Sequence, residues 1–373
     1  MRISRIPKVV FRRYMRYISE RKGWKTNRKI IVIESDDWGT IRMPDKNTYE
    51  SLLKCGIRVD RCHYNRYDTL ASIDDFGALF RILLRHKDSK GNHPIITANT
   101  IVANPDFDKI KNDNFQNYYF EPFTVTLKRY PNRDFELWEE GIREKIFYPQ
   151  FHGREHLNVG RWMKNLQSRS KETFTSFKYQ VFGISTSISQ ENRRSYMAAL
   201  DYDPGDEDNA ITNIDEGSDL FYNIFKYKSD SFIAPNYYWN EKIEIQLSQN
   251  GVKYLQGGFT QNIPGGEKKN HFLGEENNYN QTYLVRNVIF EPSSIQTDWV
   301  GRAMREIEKA FSLQKPAIIC SHRVNFIGSI FEENRTKNLA LLDQLLNEII
   351  RKWPEVEFMH SAQLGNLISQ TKK

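Results

Sequence analysis

The sequence is poor in cysteine and has no long apolar run. Cys55, Cys62 and Cys320 are its only cysteines, and three cannot form the disulfide framework of a small secreted protein. No uninterrupted apolar segment approaches the ~18 residues that a membrane-spanning helix needs. The chain also lacks a glycine-rich phosphate-binding turn and any internal repeat. These absences argue against a disulfide scaffold and a transmembrane helix, and they favour a reducing, cytoplasmic location.

The positive charge is concentrated at the N-terminus. Residues 1–30 contain 11 lysines and arginines against the single Glu20, so the other 343 residues carry about −3 of the net +7. Apolar residues at 10–18 recur at helical spacing among the arginines, as in helices that lie on anionic membranes. A solvated helix packed on the domain is the alternative. We expect residues 1–28 to form a basic arm that contacts the inner face of a membrane, and no second basic patch supports nucleic-acid binding.

The rest of the chain alternates strand and helix patterns around enough apolar material, 39% of all residues, for a sizeable core. Strands are predicted at 29–34, 93–102, 147–151, 180–184, 231–234, 252–255, 283–290, 316–320 and 356–359. Helices are predicted at 72–83, 134–145, 156–167, 190–200, 214–226, 240–249, 298–313 and 333–352. This alternation predicts an α/β fold, a distorted (β/α) barrel with seven or eight mostly parallel strands. One domain would span 29–370, with loop insertions at 112–132 and 260–281.

Polar residues follow the first predicted strand in the sequence Glu34-Ser35-Asp36-Asp37-Trp38-Gly39. Two adjacent carboxylates at the end of a buried strand are costly unless a cation or solvent accommodates them. A polar turn followed by a helix cap is the simpler interpretation of this segment taken alone.

A histidine pair follows the strand at 147–151. His152 and His156 are four residues apart, a spacing that lets two imidazoles face one metal ion. With Glu155 they also match the H-x-x-E-H pattern of inverted zinc peptidases, although Pro149 and Gly153 indicate a strand-to-helix junction where that motif needs a continuous helix.

A third polar feature ends the strand at 316–320, where Cys320-Ser321-His322 follows a β-branched run. In parallel α/β folds the carboxyl ends of the strands form the active face. We therefore expect His322, the aspartate pair and the histidine pair to meet at that face, where they would supply a carboxylate and two imidazoles for a metal plus one further acid and base.

These motifs, in this order, resemble those of the polysaccharide deacetylase family, the NodB-homology carbohydrate esterases of family 4. The family's TFDDG, H-[ST]-x-x-H and L-x-H motifs correspond here to 35–39, to His152–His156 and to 320–322. The segment 232–237 resembles the third motif and 297–299 the fourth. The arginine of the third motif has no counterpart, because Ile233 stands at that position; Arg286 and Arg323 are the candidates to replace it.

The resemblance implies a metal-dependent hydrolase that removes an N- or O-acetyl group from a carbohydrate. Asp37, His152 and His156 would hold a divalent metal, preferably Zn²⁺, with Co²⁺, Ni²⁺ or Fe²⁺ as alternatives. Asp36 would act as the general base and His322 as the general acid.

Side chains next to these motifs are candidates for binding the sugar substrate. We expect aromatic residues after the first and the fifth predicted strands to stack on sugar rings, and polar or ring-bearing neighbours to complete the subsite; the candidates are Trp38, Asn99, Pro235, Tyr237 and Trp239. The alternative is that the aromatic rings form the rim of the barrel.

Three other functions use the same residues differently. A glycosidase on a similar barrel would use two carboxylates, such as Glu34 and Asp36, and need no metal. A non-catalytic glycan-binding protein would explain the missing arginine of the third motif. An inverted zinc peptidase would require Glu155 for turnover.

Overall fold

The computed structural model of the protein describes residues 21–191 and 194–371. In chain order its strands are β1 Ile30–Trp38, β2 Ile96–Thr100, β3 Ala103–Pro105, β4 Phe120–Pro122, β5 Phe147–Phe151, β6 Ser231–Ile233, β7 Tyr254–Gly257, β8 Thr260–Asn262, β9 Lys268–Asn270, β10 Thr282–Val285, β11 Val288–Ile289, β12 Ala317–His322 and β13 Glu357–Met359. Its α-helices are α1 Lys46–Lys54, α2 His63–Tyr67, α3 Ile73–Arg85, α4 Phe107–Asn112, α5 Phe123–Lys128, α6 Glu136–Arg143, α7 Val159–Gln167, α8 Lys171–Lys178, α9 Glu207–Phe225, α10 Glu241–Gln249, α11 Trp299–Ser312, α12 Glu332–Lys352 and α13 Ser361–Thr371.

The main sheet is parallel throughout. Its neighbours follow the order β10-β7-β6-β5-β2-β1-β12-β11, and β13 pairs with the start of β1. The two ends of this path, β10 and β11, are successive parts of one segment, in which Arg286 and Asn287 donate backbone N–H groups to Gly257 on β7 and Ile318 on β12. No ladder joins β10 to β11 in the described ranges, so the segment bridges the two edges of the sheet by itself. The predicted distorted α/β barrel is confirmed.

The central position of β1 sets the location of the site. Asp36 pairs in register with His322 on β12, and Trp38 pairs with Thr100 on β2. The backbone N–H of His152, which follows β5, donates to the carbonyl of Thr100. Because parallel strands end at the same edge of a sheet, the predicted motifs of β1, β5 and β12 lie next to one another.

The largest apolar cluster packs the sheet against α3, α6, α11 and α12. Fully buried rings such as Phe76, Trp138 and Phe147 form its densest part, and each large side chain buried in this way contributes roughly 1.5–3 kcal/mol. The cluster also explains one wrong prediction. The apolar run 180–184 forms no strand, because Val181, Phe182 and Ile184 are buried by packing on other elements and so need no strand partner.

Both predicted insertions contain short antiparallel strands. In the first, β4 pairs with β3, which precedes the insertion, and α5 follows β4. In the second, β8 pairs antiparallel with β9. The helix predicted at 190–200 is not formed by its described residues, which make turns.

Residues 21–28 pack against the barrel where β1 begins, at the edge opposite the site. Trp24 Nε1 donates to Thr371 Oγ1 at 2.8 Å, and Arg28 binds both carboxylate oxygens of Glu357. The predicted amphipathic helix of the arm lies in 1–20, outside the described residues. None of the helices in the described ranges is long and apolar enough to cross a membrane.

Candidate active site

The end of β1 turns two consecutive carboxylates toward one point. Consecutive residues of a regular strand face opposite sides. Here the register between β1 and β2 shifts between Ser35 and Trp38, and Asp37 adopts φ +72°, a left-handed conformation that is uncommon outside glycine. Such an irregularity re-aims side chains. As a result Asp36 approaches His322 while Asp37 approaches the histidine pair.

The predicted metal ligands converge. Asp37 Oδ1 lies 3.5 Å from His152 Nε2 and 3.2 Å from His156 Nε2. His152 Nδ1 is 2.8 Å from the carbonyl oxygen of Ile233. Because a carbonyl only accepts hydrogen bonds, Nδ1 carries a proton, and Nε2 is the nitrogen that faces Asp37, the usual orientation of a metal-binding imidazole.

The triad is buried and incompletely hydrogen bonded, which is the signature of a ligand site. Asp37 Oδ1, His152 Nε2 and His156 Nδ1 have no hydrogen-bond partner among the described residues, although buried polar atoms nearly always have one. Burial, together with the nearby Arg42 charge, lowers the pKa of His156 to about 3, so its imidazole is neutral. One carboxylate oxygen and two imidazole nitrogens are a donor set that suits a divalent metal.

Asp36, the predicted base, is held by an arginine. Arg286 Nη1 and Nη2 donate to its two oxygens at 2.7 and 2.6 Å, and Arg286 Nε reaches Glu34 Oε2 at 2.5 Å. Burial alone would raise the pKa of Asp36, but the charge and hydrogen bonds of Arg286 hold it far below its ordinary value. The carboxylate is therefore ionised at neutral pH.

Arg286, and not Arg323, is the candidate arginine that pairs with Asp36. It reaches the site from the bridging segment between β10 and β11. Arg323 instead binds Asp68 Oδ1 and the carbonyl of Thr40. An arginine from a distant part of the chain can pair with Asp36 because the barrel brings the ends of its strands together regardless of their order in the chain.

His322, the predicted acid, is paired with a glutamate. Its Nδ1 bonds Glu291 Oε1, and Asn325 Nδ2 donates to the other Glu291 oxygen at 2.9 Å. Burial alone would lower the pKa of His322, but Glu291 and the charge of Asp36 raise it well above its ordinary value. The imidazole is therefore protonated at neutral pH.

The base and the acid face each other across a gap. His322 Nε2 lies 3.7 Å from Asp36 Oδ2, too far for a hydrogen bond. The His322 side chain is 22% exposed, whereas that of Asp36 is 6% exposed. Solvent and substrate therefore reach the site on the His322 side, where the edge of the Tyr64 ring contacts the imidazole with centroids 5.3 Å apart.

A second group of ligand-type side chains, Glu291, Cys320 and His322, lies next to the triad. Its polar atoms have partners: Glu291 binds His322 and Asn325, and Cys320 Sγ is 3.3 Å from Arg286 Nη1. This group is satisfied without a cation, in contrast to Asp37, His152 and His156.

Two of the predicted sugar-stacking residues are core residues. Trp38 is 1% exposed; its ring packs on Phe147 with centroids 4.7 Å apart and its Nε1 donates to Ser35 Oγ. Trp239 is also buried and donates to Glu244 Oε1 at 2.9 Å. The strand irregularity that directs the aspartates toward the site turns Trp38 inward. Because Trp38 and Trp239 are both buried, neither ring offers a free face to a sugar.

Two of the other predicted substrate residues, Asn99 and Tyr237, lie next to the Asp36–Arg286 pair. Asn99 is fully buried and donates to Asp36 Oδ1 at 2.7 Å, so it orients the base instead of contacting a substrate. Tyr237 is partly exposed, and its hydroxyl accepts a hydrogen bond from Arg286 Nη1 at 3.2 Å. Pro235 is buried beside Gly153. Of these three, only Tyr237 combines exposure with contact to the site.

The geometry argues against two of the alternative chemistries. Glu155 binds Arg154 through both oxygens instead of facing the histidines, so it is not positioned as the base of a zinc peptidase. Glu34 is fully buried between Arg286 and Ser361 and cannot touch a glycosidic bond.

Comparison with known proteins gives structural neighbours only. No family model and no curated relative matches the sequence. Polysaccharide deacetylases are among the structural neighbours. A candidate polysaccharide deacetylase of Mycobacterium smegmatis is 12% identical, with 94% of each chain covered and a TM-score of 0.48.

Two other structural neighbours are a deacetylase and a pseudoenzyme. The peptidoglycan deacetylase PdaC of Bacillus subtilis is 10% identical, with 93% of this chain and 94% of that chain covered and a TM-score of 0.35. A family 4 pseudoenzyme of Bacillus anthracis is 10% identical, with 91% and 66% covered and a TM-score of 0.36. At such low similarity, the function has to be inferred from the site residues of this chain.

Sequence reasoning missed two residues of the site, Glu291 and Arg42. Glu291 follows β11 by two residues, so the rule that drew attention to Asp36, an acid just after a strand, could have found it. Arg42, whose Nη2 donates to Asp37 Oδ2 at 3.0 Å, lies in the loop after β1 and carries no comparable signal. The predicted fourth motif has a structural role, because Asp298 caps α11 by accepting from the backbone N–H of Gly301.

Proposed function

We propose that this protein is a metal-dependent hydrolase that removes an N- or O-acetyl group from a carbohydrate, with residues 29–370 acting as one catalytic domain. One observation carries the proposal: three buried ligand-type side chains, each with a polar atom that lacks a hydrogen-bond partner among the described residues, lie beside an ionised carboxylate and a protonated imidazole. This combination suits hydrolysis of an acyl bond, which needs an electrophilic centre, a base for water and an acid for the leaving group.

Asp37, His152 and His156 would hold the metal, preferably Zn²⁺, with Co²⁺, Ni²⁺ or Fe²⁺ as alternatives. When bound there, such a cation supplies a Lewis acid that polarises the acyl carbonyl and makes water more acidic. The burial of the three side chains favours this chemistry, because charges interact more strongly in a site from which water is largely excluded.

Asp36 would accept the proton of the attacking water. Its carboxylate is ionised, and Asn99 and Arg286 fix its orientation from two sides. Rigid orientation of a base is part of its catalytic effect, since the proton must be transferred at hydrogen-bond distance.

His322 would protonate the leaving amine or alkoxide. Glu291 and Asn325 orient the ring and keep Nε2 turned toward Asp36. The 3.7 Å gap between Nε2 and Asp36 Oδ2 leaves the base and the acid on either side of the reacting group.

A carbohydrate substrate is supported by the motif resemblance and by aromatic side chains on the exposed side. Tyr64 contacts His322, and Tyr237 contacts Arg286. Aromatic rings at the rim of a site provide faces on which the C–H surfaces of a sugar can pack.

The proposal is tested with purified wild type, Asp37→Ala and Asp36→Asn. We measure bound metal by elemental analysis and acetate release from acetylated amino-sugar and acetylated xylan oligomers. We expect one metal per chain in the wild type and in Asp36→Asn but not in Asp37→Ala, and acetate release by the wild type only. Equal metal content in all three proteins would contradict the metal site; sugar binding without acetate release by the metal-loaded wild type would favour the non-catalytic glycan-binding protein.

We also propose a cytoplasmic protein whose N-terminal segment contacts an anionic membrane. Trp24 and Arg28 form hydrogen bonds with Thr371 and Glu357 of the barrel. The deletion that tests this proposal should therefore remove residues 1–20 only. We expect the full chain, but not the deletion variant, to co-sediment with vesicles containing phosphatidylglycerol at low salt. Equal sedimentation of the two proteins would contradict the proposal.

A further inference from the structure

One side chain of the site has no part in the chemistry described so far. Arg42 is 5% exposed and donates from Nη2 to Asp37 Oδ2 at 3.0 Å. It therefore occupies the carboxylate oxygen that points away from the histidines. The other oxygen, Oδ1, faces His152 Nε2 and His156 Nε2.

Further buried groups surround Arg42. Its Nε lies 3.8 Å from Asp68 Oδ2, too far for a hydrogen bond, and its guanidinium lies over the Tyr64 ring at 5.6 Å. Asp68 is itself held by Arg323, whose Nε and Nη2 lie 3.0 and 2.9 Å from Asp68 Oδ1. Asp68 and Tyr64 therefore favour the position in which Arg42 contacts Asp37.

This arrangement has two consequences for a bound cation. Arg42 holds Asp37 Oδ2 in a charge-assisted hydrogen bond, so ligation of a cation through both oxygens would have to compete with that bond. The Arg42 charge also offsets that of Asp37, so a cation meets less negative charge at the triad than Asp37 alone would present. Hard cations such as Mn²⁺ and Mg²⁺ depend on oxygen ligands and negative charge, whereas Zn²⁺ and Co²⁺ bind imidazole nitrogen strongly.

We propose that Arg42 is a positioning residue that restricts Asp37 to single-oxygen ligation and thereby selects imidazole-binding metals over hard cations. This inference rests on the proposed metal site at Asp37, His152 and His156. It assigns metal selectivity to a residue that neither binds the metal nor contacts the substrate.

The test compares affinities for Zn²⁺ and Mn²⁺ in metal-free wild type and Arg42→Gln. Zn²⁺ is measured by competition with a chromophoric chelator and Mn²⁺ by titration calorimetry. Loss of the arginine charge strengthens both divalent ions alike, so the ratio of the two dissociation constants isolates the effect of the second carboxylate oxygen. We expect Arg42→Gln to lower the Mn²⁺-to-Zn²⁺ ratio by about tenfold or more.

Two variants serve as controls. Arg42→Lys keeps the charge and one donor, and we expect its ratio to stay within about threefold of wild type. Arg161→Gln removes a different buried guanidinium, which pairs with Asp201 and Asp203, and we expect the wild-type ratio. If Arg42→Gln does not fold, the ratio is measured in Arg42→Gln/Asp68→Asn, which removes one charge of each sign and is expected to show the same decrease.

The outcomes separate this inference from the proposed function. Zn²⁺ binding that is equally weak in wild type and Asp37→Ala would overturn the metal site itself. Zn²⁺ binding that depends on Asp37, with an unchanged ratio in folded Arg42→Gln or in the double variant, would overturn only the role of Arg42. A decrease of similar size in Arg161→Gln would also overturn it, because the effect would then not belong to Asp37.

Discussion

The two halves of the site differ in how their polar atoms are satisfied. In the triad of Asp37, His152 and His156, each residue has a polar atom without a hydrogen bond. In the base and acid half, Asp36 is paired with Arg286, and His322 with Glu291. Both halves are built from residues that follow strands of one parallel sheet, so the fold alone does not cause the difference.

The contrast distinguishes binding from proton transfer. A site that receives an external ligand must keep atoms free for it, at a cost in stability to the unliganded protein. A base and an acid that work at fixed pKa values need permanent charged partners instead. The presence or absence of hydrogen-bond partners thus distinguishes the triad from the base and the acid, although the two halves lie within a few ångströms of each other.

The largest expected effect comes from removing the charged partner of Asp36 in the base and acid half of the site. Arg286→Met leaves the buried Glu34 and Asp36 without a cation, which should lower the free energy of unfolding by about 3–5 kcal/mol. His156→Gln in the triad should cost about 1 kcal/mol or less, because it removes an atom that has no partner. Urea denaturation of both variants with a chelator present measures the two values, and similar losses would contradict the comparison.

The next effect is a shift in pH dependence. Glu291 raises the pKa of His322, so the imidazolium persists at neutral pH and its contribution is lost as pH rises through that raised value. Glu291→Gln removes this support, and we expect the alkaline limb of kcat/KM to move to lower pH by about 1 unit or more. The pH profile of acetate release measures it. An unchanged limb would show that His322 is not the acid or that Glu291 does not control it.

A smaller expected effect shows whether Trp38 is a core residue or contacts the substrate. Trp38→Phe should lower the free energy of unfolding by about 1–3 kcal/mol, because the indole packs among aromatic rings and its Nε1 bonds Ser35. KM of the folded enzyme should not change. Thermal unfolding and steady-state kinetics check both values, and a raised KM with unchanged stability would restore a stacking role for Trp38.

The smallest effect on turnover is expected at Glu155. Its carboxylate is occupied by Arg154, so kcat of Glu155→Gln, per folded molecule, should stay within about threefold, whereas loss of a general base typically costs 10²–10⁴-fold. Asp36→Asn assayed in parallel gives the scale for a lost base. A loss of that size in Glu155→Gln would support the alternative that the protein is an inverted zinc peptidase.

Much of the site could be predicted from the sequence because the relevant signals are local. A β-branched run that ends in Asp36-Asp37, or in His322, already indicates a strand end, and His152 and His156 directly follow another strand, although residues 152–156 form no helical turn. The alternation of strands and helices was enough for the fold class. These features depend on backbone periodicity, which a few neighbouring residues determine.

The partners of those residues could not be predicted, because they depend on which strands become neighbours. Arg286 could be named only as one of two candidates, because it lies 250 positions from Asp36 and nothing near either residue indicates that one segment bridges β7 and β12. Likewise, whether Trp38 faces the site or the core depends on a strand irregularity that forms only when β1 pairs with β2. Strand and helix signals, and the side chains able to do chemistry, are therefore written in the sequence, whereas charge pairing and the inward or outward direction of a side chain were decided by long-range packing.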